Sequence, residues 1–232
     1  MKKYNKDLSY SYTLGLFPTF ELLNKKKSLV KKIILSNKIT EDVKDKIINI
    51  CNKNNIKYIY DDNFICKVAE KENCYVVGIF EKKINILEDD KSHLVLVNPS
   101  NMGNVGTIIR TMLGFNYRNL AIIKPAVDIF NPKVIRASMG SIFSVNIAFF
   151  DSFAEYLKEY KNHNIYTFML DGKNKLKDVK INYPNSLVFG NESRGLDKSY
   201  IKYNSVVIPH NDEIDSLNIT VAIGISLYKF TE

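Results

Sequence analysis

The segment NVGTIIRT, residues 104–111, sets an arginine among apolar residues at helical spacing. Arginine is scarce in this chain. Of 33 Lys+Arg, four are Arg, at 110, 118, 136 and 194, and none lies in the first 91 residues. Lys is a compact, hydrated point charge, whereas Arg offers a planar fork of donors matched to phosphate or carboxylate. The choice of Arg110 therefore points to an anion, expected to be held near a buried helix start. Two other segments carry polar groups suited to a site: FGNESRG (189–195) and IPHNDEIDSLN (208–218). Together they offer the Glu192 carboxylate, the Asn191 and Asn218 amides and the Ser216 hydroxyl. Such groups can orient a substrate and stabilise charge developing on an oxygen. Cys51, Cys66 and Cys74 form no CxxC pair and no pattern with His93, His163 or His210, so no metal site is expected.

The elements that must position these groups read as α/β. Short apolar runs at 93–97, 120–124, 145–150, 164–170, 186–190 and 205–209 are strands, with helices at 104–115, about 131–138, 152–161, about 197–203 and 216–230. Alternation of this kind predicts a mostly parallel sheet covered on both faces. Ligands of such sheets gather at the carboxyl ends of strands. The runs ending at 97, 190 and 208 are followed there by small or polar residues. Before them lies a smaller α/β unit, with helices at 18–26, 41–55 and 62–70 and strands at 30–36, 56–60 and 74–80. The charged stretch 81–93 separates the two, giving domains 1–85 and 86–232. No GxGxxG and no GxxxxGK[ST] is present, which excludes the ordinary dinucleotide and P-loop sites.

Composition narrows the class further. Charged residues make up 25% and hydrophobic residues 45% of 232 residues, as in a globular protein. No apolar run reaches membrane-spanning length, and the N-terminus lacks the apolar core of a signal peptide. With scattered cysteines this predicts a cytoplasmic protein with no membrane partner. The net charge is +8, and residues 1–91 hold 18 Lys against 13 acids. A basic balance permits nucleic-acid binding without requiring it.

Four stretches in order carry a family resemblance. NPSNMGNVGTIIRT (98–111), RASMGSIF (136–143), LVFGNESRGL (187–196) and IPHNDEIDSLNITVA (208–222) resemble the successive motifs of the SpoU/TrmH family of RNA ribose methyltransferases, within the SPOUT superfamily. The resemblance covers about residues 93–231. From LGLFPTFELL onward, residues 11–80 more weakly resemble the family's small substrate-binding domain. The resemblance implies a C-terminal parallel sheet closed by a trefoil knot, a homodimer formed through that domain, and S-adenosylmethionine-dependent 2′-O-methylation of ribosomal or transfer RNA, with ribosomal RNA ranked first. Non-catalytic RNA binding and base methylation are the alternative readings.

By position in the motifs, the resemblance makes Arg110, Asn104, Glu192, Ser216 and Asn218 catalytic. It makes Val188, Gly190, Asn191, Ile208, Leu217 and Asn218 the cofactor-binding residues. An arginine is a poor base because a guanidinium keeps its proton in proteins. The preferred role for Arg110 is holding phosphate and stabilising a developing alkoxide; a phosphate-bound Arg acting as base ranks second. Asn104 orients substrate or simply caps a helix, and Glu192 fixes Arg110 or Asn104. Ser216 is read as the cap of the last helix and Asn218 as lying in its first turn. The sequence departs from the family pattern at Asp212, where Gly is usual, and at Met112 and Leu113, near the expected dimer contact.

Overall fold

A computed structural model describes residues 3–69 and 73–231. In chain order its elements are β1 (Tyr10–Leu14), α1 (Leu16–Lys25), β2 (Val30–Leu35), α2 (Glu41–Lys53), β3 (Tyr58–Tyr60), α3 (Asp62–Val68), β4 (Val76–Glu81), β5 (His93–Val97), α4 (Met102–Gly114), β6 (Asn119–Ile123), α5 (Pro132–Ala137), β7 (Asn146–Phe150), α6 (Phe153–Glu159), β8 (Asn164–Phe168), β9 (Asn174–Lys175), β10 (Asn185–Phe189), β11 (Asn204–Val207) and α7 (Ile219–Thr231). Residue 70, the last of the helix expected over 62–70, lies outside the described residues. The region expected as a helix near 197–203 is a short 3-10 turn at Lys198–Lys202.

Contacts divide the chain into two units. One comprises the described residues up to Lys83 together with Asp128–Ser144, and the other comprises Ile84–Val127 and the described residues from Val145. A contiguous division at 85/86 therefore misses residues 128–144. They join the first unit through α5, which packs on β1. The Ser11 hydroxyl donates to the Phe130 carbonyl and the Tyr4 hydroxyl to the Asp128 carboxylate. These are tertiary bonds between residues more than a hundred positions apart, which no local pattern contains.

The first unit is built on a four-stranded sheet in the order β1-β4-β2-β3, with β4 antiparallel to both β1 and β2 and β3 parallel to β2. Sequence patterning missed β1. Its YSYTL buries Ser11 and Thr13, polar residues that hide the alternation of a strand. Both are satisfied, Thr13 by the Thr19 hydroxyl at 2.8 Å, so their burial carries no unpaired-group penalty.

The second unit holds a seven-stranded, wholly parallel sheet in the order β7-β6-β5-β10-β8-β11-β9. This is the sheet that alternation predicted. β5, β6 and β10 are buried at every residue, as strands covered on both faces must be. α4 shows why its sequence is helical. Val105, Ile108, Ile109 and Met112 recur at i, i+3, i+4, i+7 and are all buried. Each contributes about 1.5–3 kcal/mol of burial. The Asn101 side chain caps the helix by accepting from the Asn104 N–H at 3.0 Å. Among the described residues, no helix is long and apolar enough to cross a membrane.

The stretch leading into β5 is buckled onto the sheet by two buried histidines. His93 Nε2 lies 3.0 Å from the Glu88 carbonyl and Nδ1 2.9 Å from the Tyr156 hydroxyl. His163 Nε2 lies 2.9 Å from the Asp89 carbonyl, and its Nδ1 2.8 Å from Ser186 Oγ. Burial, chiefly, and the neighbouring His163 pull the His93 pKa from 6.5 down to about 4, against the pull of the Glu88 carbonyl. The unfolded chain therefore takes up a proton at a higher pH than the folded one. Stability is full above pH 6.5 and falls as the pH drops towards 4. From those two values, about 2 kcal/mol should be gone by pH 5. Urea midpoints at pH 7 and pH 5 test this, with His93→Phe as control. An equal midpoint at both pH values in the parent chain would contradict it.

Candidate active site

A cavity of about 360 Å³ opens at the carboxyl edge of the parallel sheet. That volume lies within the range of small-molecule sites. Its wall is drawn from three strand ends and one helix start. β8 and the residues after it give Phe168–Asp171, β10 and its loop give Phe189–Leu196, and β11 and its loop give Val206–Ile208 and His210. Ser216, Leu217, Ile219 and Ala222 complete it around the start of α7. The rings of Phe168 and Phe189, both in the lining, stack with centroids 4.3 Å apart and 7° between planes. The polar lining is of mixed sign, with Asp171 and Glu192 against Arg194 and Lys198.

Local chemistry sets the shape of the 190–196 loop. It folds back on itself through the Gly195 N–H to the Asn191 carbonyl at 2.9 Å. The Asn191 side chain accepts from the Ser193 and Arg194 N–H groups at 3.0 and 3.2 Å. Gly195 has φ +66, a left-handed conformation that favours glycine. A Cβ on Gly190 would lie 2.1 Å from the Gly195 carbonyl carbon, so only glycine lets the two backbones approach. In the 208–218 loop, the His210 ring Nδ1 lies 2.8 Å from the Ile208 carbonyl. That partner can only accept, so Nδ1 carries the proton.

The structure distributes the residues singled out from sequence unevenly. Gly190, Asn191, Glu192, Ile208, Ser216 and Leu217 all line the cavity. Val188 does not. It is fully buried among Val95, Val97 and Ala121, because successive strand residues face opposite sides and Phe189 takes the cavity side. Asn218 is outside the lining as well. It is the residue before α7, and its side chain accepts from the Thr220 N–H at 2.8 Å and the Thr220 hydroxyl at 2.7 Å. The helix expected from 216 thus starts at Ile219, with Asn218 in the capping role read for Ser216. The converse holds at α4. Asn101 is the cap, and Asn104 stands three residues on with a side chain that makes no hydrogen bond among the described residues. The side chain of Asn104 is thereby left for another partner.

Arg110 also differs from expectation. It is eight residues into α4, about 12 Å from the helix start, and it is exposed rather than buried. It shares the solvent stripe of the helix with Gly103 and Thr107. Arg118 bonds the Asn116 side chain at 3.1 Å, but Arg110 makes no hydrogen bond or ion pair among the described residues. It is not part of the cavity wall. Met112 is core rather than surface, and Asp212 is exposed in a turn outside the cavity. The contribution of β8 was missed from sequence, although the run NIYTFML ends in Asp171-Gly172, a turn signal at the same sheet edge.

The first motif loop meets the cavity through hydrogen bonds. Glu192 accepts from the Ser100 N–H at 3.1 Å, the Ser100 hydroxyl at 2.8 Å and the Asn101 N–H at 3.1 Å. Partial burial works to raise its pKa, but its own N–H and those donors outweigh burial and hold it below the usual carboxylate value.

Comparison with known proteins agrees with this architecture. The AdoMet-bound rRNA methyltransferase of Sinorhizobium meliloti superposes with a TM-score of 0.82 at 22% identity, over 96% of this chain and 87% of that one. An uncharacterized tRNA/rRNA methyltransferase of Archaeoglobus fulgidus is 33% identical over 142 residues, 60% of this chain and 63% of that protein. A homolog of MG252 with the same description, from Mycoplasma pneumoniae, is 26% identical over 221 residues, 86% of this chain and 88% of that protein. The chain spans 63% and 51% of the lengths of the Archaeoglobus protein and of a Synechocystis relative. The model of the SpoU rRNA Methylase family matches residues 91–228, which include the β5–α4 loop, the Gly190 loop and the start of α7. On that match, which spans the residues that build the cavity, the chain belongs to the SpoU rRNA Methylase family.

Proposed function

We propose that this protein transfers a methyl group from S-adenosylmethionine to a ribose 2′-hydroxyl of RNA, with ribosomal RNA the favoured substrate. The observation that carries the reading is the cavity itself. Its walls are the loop at 190–196, residues 206–208 and His210, and Ser216 with Leu217, beside the stacked rings of Phe168 and Phe189. Such a wall suits an adenosine, whose base can be read by backbone groups and flanked by Ile208 and Leu217. The donor supplies an activated methyl on a sulfonium. The chain's part is to hold that donor, exclude water from it and present the RNA. Arg110, exposed and without a bonding partner among the described residues, binds an RNA phosphate and stabilises the negative charge that develops as the hydroxyl oxygen takes the methyl and its proton passes to solvent. Asn104, on the same helix and with a side-chain amide that makes no hydrogen bond among the described residues, orients the ribose.

Several relatives point to this chemistry. A Streptomyces laurentii protein described as a 23S rRNA (adenosine(1067)-2′-O)-methyltransferase is 30% identical over 134 residues. The Lys excess of residues 1–83, 17 Lys against 10 acids, gives the first unit affinity for phosphate without base selection. A homodimer belongs to the proposal. Val221, Ile225 and Tyr228 form an exposed apolar stripe on α7 at i, i+4, i+7, a face suited to a second copy. The trefoil knot and a cytoplasmic setting are parts of the same reading.

The test is incubation with labelled donor and RNA from cells lacking this protein, followed by nuclease digestion. Label in nuclease-resistant dinucleotides is expected, since 2′-O-methylation blocks cleavage. Label only in cleavable nucleotides assigns base methylation instead. Tight RNA binding with no donor binding assigns a non-catalytic role.

A further inference from the structure

We propose that Ser100 is a positioning residue for the transfer reaction: with Glu192 it latches the loop entering α4 to the loop that walls the cavity. The proposal rests on the methyl-transfer reading. Five hydrogen bonds join residues 98–101 to residues 191–192, more than ninety positions away. Ser100 sits at their centre. Its N–H and hydroxyl both donate to Glu192 Oε2, and its oxygen accepts from the Asn191 amide at 3.1 Å. The Asn191 amide also donates to the Asn98 carbonyl at 2.8 Å. Ser100 is the one side chain of residues 98–101 bonded to both loop partners.

The latch has consequences at both ends. The next residue, Asn101, gives its N–H to Glu192 Oε1 and its side chain to the first turn of α4. The start of the helix that bears Asn104 and Arg110 is therefore fixed directly to the cavity wall. On its far side the loop is held by Asn98, whose amide donates to the Lys124 carbonyl at 2.7 Å. At the other end the Glu192 carboxylate is nearly saturated. It has about four acceptor sites and receives the two Ser100 donors, the Asn101 N–H and, at 3.4 Å, the Asn191 amide. Little acceptor capacity remains for a substrate proton. Glu192 is thus assigned a positioning role beside Ser100, in place of the catalytic role implied by its motif.

Misplacement of a reacting group by about 1 Å costs on the order of 100-fold in rate. Ser100→Ala removes the hydroxyl without removing any residue of the cavity wall, which Ser100 itself does not line. The expected result is a fall in kcat of roughly 10- to 100-fold, with the donor dissociation constant and melting temperature little changed. Ser100→Thr, which keeps the hydroxyl at an exposed position, should restore most of the rate. Adding Glu192→Gln to Ser100→Ala should cost less than its effect alone, since both act on the same latch and share the Ser100 hydroxyl bond. Unchanged kcat in Ser100→Ala, no rescue by Thr, or full additivity overturns the proposal. Amide hydrogen exchange over residues 101–105 reads the latch without any activity. Faster exchange in Ser100→Ala is expected, and exchange identical to the parent chain overturns the latch even if the parent methylates RNA. If the parent methylates no RNA, the methyl-transfer reading and the positioning role fail, while exchange still decides whether the latch exists.

Discussion

Arg110→Ala is expected to lower methyl transfer to RNA by about 10²–10³-fold, the usual cost of deleting one donor to a developing oxyanion. Donor affinity should be unchanged, because Arg110 lies outside the cavity wall. Stability should be unchanged too, since the side chain is exposed and makes no ion pair or hydrogen bond among the described residues. The split distinguishes a chemical role from a structural one. Single-turnover rates at saturating RNA, calorimetry with the donor and a thermal melt measure the three quantities. Arg110→Lys should recover little, because a point charge cannot reproduce the planar fork. A variant retaining full turnover would move the chemistry elsewhere. Light scattering on the same samples reads the assembly. Parent and variant should both run as dimers, and a monomeric parent removes the dimer from the proposed function.

Gly190→Ala carries the second large effect, at the opposite side of the reaction. The added methyl carbon would stand 2.1 Å from the Gly195 carbonyl carbon, 2.3 Å from its oxygen and 2.4 Å from the Leu196 nitrogen. All three are backbone atoms, so no side-chain rotation relieves the clash. The 190–196 loop must move, and with it much of the cavity wall. Donor affinity is expected to fall at least about 100-fold, equivalent to about 2.8 kcal/mol. Overpacking itself costs a further 1–3 kcal/mol of stability, roughly. Circular dichroism on the same sample separates a folded, non-binding variant from an unfolded one. A folded variant that binds donor as tightly as the parent would mean that this loop is not the donor's wall.

The sequence by itself determined the second unit's sheet and the order of its loops. Runs such as HLVLV are apolar throughout because both faces of a parallel strand are covered, and that is a local property written in residue type. Residue type and motif also singled out Gly190, Asn191 and Glu192, which line the cavity, and Arg110, which does not. Tertiary structure alone decided which polar residues line the cavity and which cap helices. Asn101, Asn104 and Asn218 are the same residue near two helix starts. Capping falls to Asn101 and Asn218 only because the helices begin at Met102 and Ile219. Strand β1 and the place of residues 128–144 were equally hidden. Buried Ser11 and Thr13 are satisfied by Phe130 and Thr19, and Phe130 lies more than a hundred positions from Ser11. A hydrogen bond between residues far apart in the chain leaves no periodic trace in either segment. The latch from Ser100 to Glu192 is of that kind, so only the folded chain could reveal it.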